Sequence, residues 1–155
     1  MPSRTSLLTG RRPDTSRSWT IEADQWFRFS SGNGNWTTLP GHFKNSGYLT
    51  IGTGKVFHET MPSFDPQDCT HSWSPEAVFS RGKKPAGLWD PTGDPENNAT
   101  GLAEQVPDAD EPKMQDGNIT DHAVDVIKGL ASGVYGDDVA SGVKPFFLAI
   151  GLHKP

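Results

Sequence analysis

Hydrophobic and polar positions alternate in short patterned stretches, separated by longer polar ones. Residues 3–10 carry Leu7 and Leu8 and close on Gly10, the usual helix stop, so a short helix is expected whose first turn presents Ser3 and Arg4. Pro13 and Asp14 then open a loop. Residues 19–29 are aromatic (Trp19, Trp26, Phe27, Phe29) with mixed polarity and read as an irregular or helical packing segment, followed by a turn cluster over residues 30–35. From Thr38 the period becomes helical. Leu39, Phe43 and Lys44 share a face, Thr38 caps, Pro40 suits the first turn and Gly47 closes the element. Residues 48–53, rich in β-branched side chains, predict a strand that delivers Gly54, Lys55, Val56, Phe57 and His58 at its carboxyl end.

The second half is patterned only near its end. Residues 59–117 hold no sustained period and are rich in Pro, Gly, Asp and Asn, the mark of a loop-rich excursion or of disorder. Residues 119–130 predict a helix, with Thr120 as cap and Ala123, Val124, Ile127 and Leu130 on one face. The continuous apolar run of residues 146–151 fits a buried parallel strand, and it leads into Leu152, His153, Lys154 and Pro155. Helix, strand, helix, strand in this order argues an α/β fold, in which sites collect past the carboxyl ends of strands. No internal repeat is visible.

Composition narrows the function classes. In 155 residues only 33% are hydrophobic, with 17 Gly, 13 Pro and a mean hydropathy of -0.59, so the core is modest and much of the chain is loop. No apolar run approaches the roughly 18 residues of a membrane span. A net charge of -5 speaks against nucleic acid as a partner. The charge is segregated. Arg4, Arg11, Arg12 and Arg17 precede Trp19 with Asp14 alone opposing them, whereas the stretch from Asp90 to Asp125 is acidic. A basic start and an acidic middle suggest an anion-binding end and a solvated loop. The single Cys69 forms no internal disulfide, and the tripeptides beginning at Asn35, Asn98 and Asn118 fit the glycosylation pattern, which counts only on a secretory route. The Arg- and Ser-rich start also has the composition of a mitochondrial transit peptide.

Three segments carry chemistry. Pro2-Ser3-Arg4 followed by Leu8-Thr9-Gly10-Arg11 resembles the signature of the type I sulfatases, Cys-x-Pro-Ser-Arg with a downstream Thr-Gly-Arg, and Met1 stands at its x position. Gly54-Lys55-Val56-Phe57-His58 resembles the Gly-Lys-x-x-His segment of the iduronate-2-sulfatase branch, the branch to which the likeness is strongest. A phosphate-binding loop is set aside, because Leu49 and Val56 stand where it needs Gly and Ser or Thr. Residues 146–155 resemble that branch's Pro-Phe-Phe-Leu-Ala-x-Gly-x-His-Lys-Pro strand. The stretch from Asn35 to Tyr48 fits as well, while residues 59–117 show little likeness beyond Ser72-Trp73-Ser74.

The resemblance implies a sulfuric ester hydrolase of alkaline-phosphatase-like α/β sandwich fold, of which residues 1–155 would be a partial catalytic domain. Residues 1–58 would give the motif helix, a second helix and a strand, residues 59–117 the excursion, and residues 118–155 a helix and the buried strand. Arg4, Lys55, His58 and His153 would surround the sulfate: Arg4 and Lys55 neutralise oxygens, His58 bonds the nucleophile's hydroxyl or shuttles its proton, and His153 stabilises or protonates the departing sugar hydroxyl. Lys154 would add positive potential for an acidic sugar, or simply be the solvated end of the strand. The family's nucleophile is a cysteine oxidised to formylglycine by a formylglycine-generating enzyme. That cysteine would immediately precede Met1, so the 155 residues are expected to be a fragment, inactive alone. A calcium ion is expected in the full-length family member, but its ligands are not recognisable here and no metal ligand is assigned. The implied substrate is a sulfated sugar of a glycosaminoglycan, and the implied location is lysosomal, secreted or periplasmic. Two other readings stand beside this one: a non-catalytic sulfosugar-binding remnant, and an unrelated protein imported into mitochondria.

Overall fold

The computed structural model describes residues 2–20, 27–28, 34–57, 68–75 and 115–152. Among them the chain forms helices α1 (Pro2–Thr9), α2 (Pro13–Ser16) and α3 (Leu39–Asn45), strand β1 (Leu49–Gly54), helices α4 (Cys69–Ser72), α5 (Gln115–Ser132) and α6 (Asp137–Ala140), and strand β2 (Phe146–Gly151). The two strands pair in parallel, from Leu49 opposite Phe146 to Gly54 opposite Gly151. Parallel pairing needs a long crossover, and α5 lies within it. The α/β reading holds for the described residues.

Apolar side chains collect on both faces of this sheet. On one face Leu8 of α1, Phe27, Val56, Phe57 and Trp73 form a buried cluster, which Trp36, Cys69, Phe147 and Ala149 pack against. On the other, Leu49 and Ile51 of β1 meet Val126 and Leu130 of α5 and Val139 of α6, with Leu148 and Tyr135 alongside. Phe147 and Ala149 of β2 thus face one core and Leu148 the other, as the two-residue period demands. Leu8 and the buried Thr5 and Thr9 make the chain's start part of the core.

Several sequence expectations hold. Thr38 caps α3 by accepting from the Gly41 amide at 3.1 Å, Pro40 sits in the first turn, and Gly47 ends the element at φ 86°. Phe43 stacks on Phe147 with centroids 4.7 Å apart, locking α3 to β2.

Others change. Pro13 begins the one-turn helix α2 where a loop was expected, since proline's fixed φ suits the first helical position. Helix α5 starts at Gln115, so Thr120 lies inside it. Its Oγ1 donates to the Asp116 carbonyl at 2.8 Å, a back-bond along the helix and not a cap. The buried face of α5 is Ile119, Ala123, Val126 and Leu130, while Val124 and Ile127 are exposed. The run Val124 to Ile127 is apolar at three of four positions, so period alone did not choose the face. β2 is parallel but not buried: Phe146 is 49% exposed and Ile150 47%. Trp19, expected to pack, is exposed, and most of residues 19–33 lies outside the described residues.

The excursion contains an anchor that its composition hid. Asp68 and Trp73 are buried, and Ser74 reaches β1 along the edge opposite β2. The Ser74 amide donates to the Thr50 carbonyl at 3.0 Å, and the Thr50 amide donates to Ser74 Oγ at 2.9 Å. Behind this contact lies a polar network around the buried carboxylate of Asp68. Arg28 pairs with Asp68 through both carboxylate oxygens, Nη2 to Oδ2 at 2.7 Å, and Ser72 Oγ bonds Asp68 and the capping Thr38. The buried carboxylate is tolerated because both of its oxygens accept hydrogen bonds, from Arg28 and from Ser72.

Candidate functional site

The carboxyl ends of β1 and β2 lie side by side, and the sequence at that edge dictates how closely. Gly54 has φ 70°, a left-handed turn that favours glycine, so the chain bends sharply out of β1. The Lys55 amide then donates to the Gly151 carbonyl at 2.6 Å. A Cβ on Gly151 would run into the Lys55 backbone, and one on Gly54 would meet Ile119 of α5. Two glycines at register partners therefore let both chains leave the sheet in contact.

Arg4 closes this arrangement. Projecting from the first turn of α1, its Nη1 donates to the Lys55 carbonyl and, at 3.3 Å, to that of Val56; Nη2 donates to the Leu152 carbonyl at 3.1 Å. These carbonyls lie just past the ends of the strands, where the ladder no longer supplies donors. The planar, permanently charged guanidinium suits them because it offers several donors in a fixed fork. One side chain thus ties α1, the exit of β1 and the exit of β2.

Of the residues the sequence singles out, Arg4 and Lys55 are therefore brought to one edge. Lys55 is half-buried, and no described residue pairs with its ammonium. His58, His153 and Lys154 lie outside the described residues; in the chain they follow Phe57 and Leu152, which the structure does place. The other arginines of the basic start are engaged elsewhere. Arg11 lies over the Trp36 ring, 6.0 Å from its centroid, and Arg12 is 3.8 Å from Asp14 on the surface. The start of the chain is thus one anchoring cation and several peripheral ones.

Sequence reasoning missed the backbone part of the site. The carbonyls of Lys55, Val56 and Leu152 carry no side-chain signature, but the pairing of Gly54 with Gly151 at two strand ends was a readable sign of close approach. It also missed two hydroxyls, Thr5 Oγ1 beside Arg4 and Thr53 Oγ1 near the end of β1, which are buried without a hydrogen-bond partner. Among the described residues no three of His, Cys, Asp and Glu gather in a way that could hold a metal ion. No helix among them is long and apolar enough to cross a membrane.

No protein-family model matches the chain. Individual proteins do. Iduronate 2-sulfatase of Homo sapiens is 35% identical over 156 residues, covering 99% of this chain and 26% of that protein, and the Mus musculus enzyme of the same name is 34% identical over the same span. A protein named sulfatase from Formosa agariphila is 35% identical over 63 residues, 39% of this chain and 12% of its own. The chain spans about a quarter of the length of the two mammalian relatives. That alignment runs through nearly the whole chain, its basic start included.

Proposed function

Because this chain belongs to the sulfatase family, we propose that it forms the sulfate-holding side of a sulfuric ester hydrolase with an alkaline-phosphatase-like sandwich, acting on 2-sulfated iduronate in glycosaminoglycans. The observation that carries the reading is the edge where Arg4 joins the exits of β1 and β2 through the carbonyls of Lys55 and Leu152. A strand-end edge of this kind is where α/β folds collect ligands.

In this reading each residue has a distinct task. The guanidinium of Arg4 fixes the strand exits, and the positive charge it brings remains beside the sulfate. Lys55, three donors on a flexible stem, neutralises a sulfuryl oxygen. His58, three residues on, bonds the attacking hydroxyl or shuttles its proton. His153, one residue past the Leu152 carbonyl that Arg4 holds, gives a proton to the departing sugar oxygen. Lys154 adds positive potential for the sugar's carboxylate. The nucleophile, a formylglycine made from cysteine by its generating enzyme, supplies the attack on sulfur. Cys69, the single cysteine of the sequence, instead packs against the Leu8–Trp73 cluster. The 155 residues by themselves therefore bind the sulfated sugar without turning it over. Calcium belongs to the whole enzyme in this reading and takes no ligand from the described residues. The reading carries with it a lysosomal, secreted or periplasmic location.

Calorimetric titration with a 2-sulfated uronate disaccharide tests it. Saturable binding is expected, weakened at least about tenfold by Lys55→Ala, as loss of a charge-assisted hydrogen bond predicts. Equal affinity for the desulfated disaccharide would refute the assignment, and so would turnover of an aryl sulfate by the 155 residues alone.

A further inference from the structure

We propose that the exposed stripe of α1, with the arginines that follow it, is a second subsite that holds the acidic sugar chain beyond the sulfated residue. The proposal rests on the function proposed above and deepens it by naming an extended polyanion as the ligand. The chain carries a net charge of -5, yet residues 1–20 hold Arg4, Arg11, Arg12 and Arg17 against Asp14 alone. Arg4 is taken up by the strand exits, which leaves the positive surface of this region to the others.

The geometry of α1 sets that surface next to the site. Ser3, Leu7 and Gly10 follow one another at helical spacing and are all exposed, and Arg11 continues the row. Ser3 adjoins Arg4 in the first turn, so the stripe starts at the edge where β1 and β2 leave the sheet. From Ser3 to Gly10 the helix advances about 10 Å, at roughly 1.5 Å per residue. A sugar chain seated on Lys55 thus meets Arg11 only beyond its first ring. Leu7, in the middle of the stripe, is 73% exposed and belongs to neither core, an apolar step that suits the C–H face of a sugar.

The far end of the stripe carries the groups an anion needs. Arg11 lies over Trp36, 6.0 Å from the ring centroid, and no described carboxylate pairs with it. Its Nη1 reaches the Gly10 carbonyl at only 3.5 Å, so most of its N–H groups face solvent. Arg12, its side chain 87% exposed, meets Asp14 at 3.8 Å, a surface pair weak enough to open for a sulfate or carboxylate. Asp14 also accepts from Trp19 Nε1 at 3.4 Å, which holds the exposed indole at the corner of α2, and α2 packs against α1. Guanidinium forks match sulfate and carboxylate oxygens two at a time, while Leu7 and Trp19 offer apolar cover to the rings between them.

The test is calorimetric titration of the full chain with two 2-sulfated uronate oligosaccharides, a disaccharide and a hexasaccharide. The hexasaccharide is expected to bind at least about tenfold tighter, with a gain that shrinks as salt rises. Arg11→Ala combined with Arg12→Ala is expected to abolish the gain and to change disaccharide affinity less than about twofold. Leu7→Glu, at an exposed helix position that tolerates glutamate, is expected to do the same by placing a negative charge in the stripe. Equal affinity of the two oligosaccharides for the unaltered chain would overturn the proposal, as would a gain that survives in either variant. The sulfate reading fails separately: the disaccharide would then bind no better than its desulfated form, while the hexasaccharide would still lose affinity in both variants.

Discussion

β1 and β2 are each six residues long, parallel and paired at every position, yet their surroundings are opposite. β1 reads Leu-Thr-Ile-Gly-Thr-Gly, a half-polar sequence, and all six residues are buried. β2 reads Phe-Phe-Leu-Ala-Ile-Gly, almost wholly apolar, and only Gly151 is buried. The difference lies in their neighbours. β1 has β2 on one edge and Ser74 on the other, with α5 over one face and Trp73 and its cluster over the other. The buried Thr50 has a partner for its hydroxyl: Thr50 Oγ1 donates to the Ser72 carbonyl at 3.2 Å. Among the described residues, nothing pairs with the far edge of β2. Apolar composition expresses what a strand needs, whereas burial depends on which elements reach it.

The largest expected effect comes from breaking what covers β1. Asp68→Ala leaves Arg28 buried without its carboxylate and releases Ser72 from its acceptor, so a loss of about 3–5 kcal/mol is expected in denaturant unfolding. A loss under about 1 kcal/mol would show that this segment does not hold the edge. A matched pair comes next. Ile51→Ala in β1 is expected to cost about 2–5 kcal/mol as a core deletion, and Ile150→Ala in β2, already about half in water, less than about 1.5 kcal/mol. Equal losses would mean the two strands are equally covered. The smallest is Ser74→Ala. It removes the hydroxyl that accepts from the Thr50 amide and is expected to cost about 1 kcal/mol, with faster hydrogen exchange at that amide as the local readout.

The same contrast explains how much of the molecule the sequence made legible. β1, β2, α1 and α3 were readable because each carries its signal within a few residues: β-branched runs, a capping threonine, a closing glycine. The motifs around Arg4 and Lys55 singled both out as candidates, and the structure brings them to the same edge. The anchor at Asp68 was not. Arg28 lies 40 positions from Asp68, Thr38 34 from Ser72 and Thr50 24 from Ser74, and no local pattern marks an aspartate that will be buried by an arginine. The face of α5 was misjudged for a related reason. Val124, Val126 and Ile127 are equivalent until Leu49 and Ile51 select the row that contains Val126. The bond from Arg4 to main-chain carbonyls was equally hidden, because an acceptor on the backbone has no residue type.

In the proposed function Arg4 holds the exits of β1 and β2 so that both meet one sulfate. The direct measurement is an amide NMR titration of the chain with a 2-sulfated uronate disaccharide, repeated on Arg4→Ala. Amides of Lys55, Val56 and Leu152 are predicted to shift together along one binding curve, and in Arg4→Ala to lose that common response while the signals of α5 stay in place. Shifts confined to other surfaces, or an unchanged common response in Arg4→Ala, would contradict it.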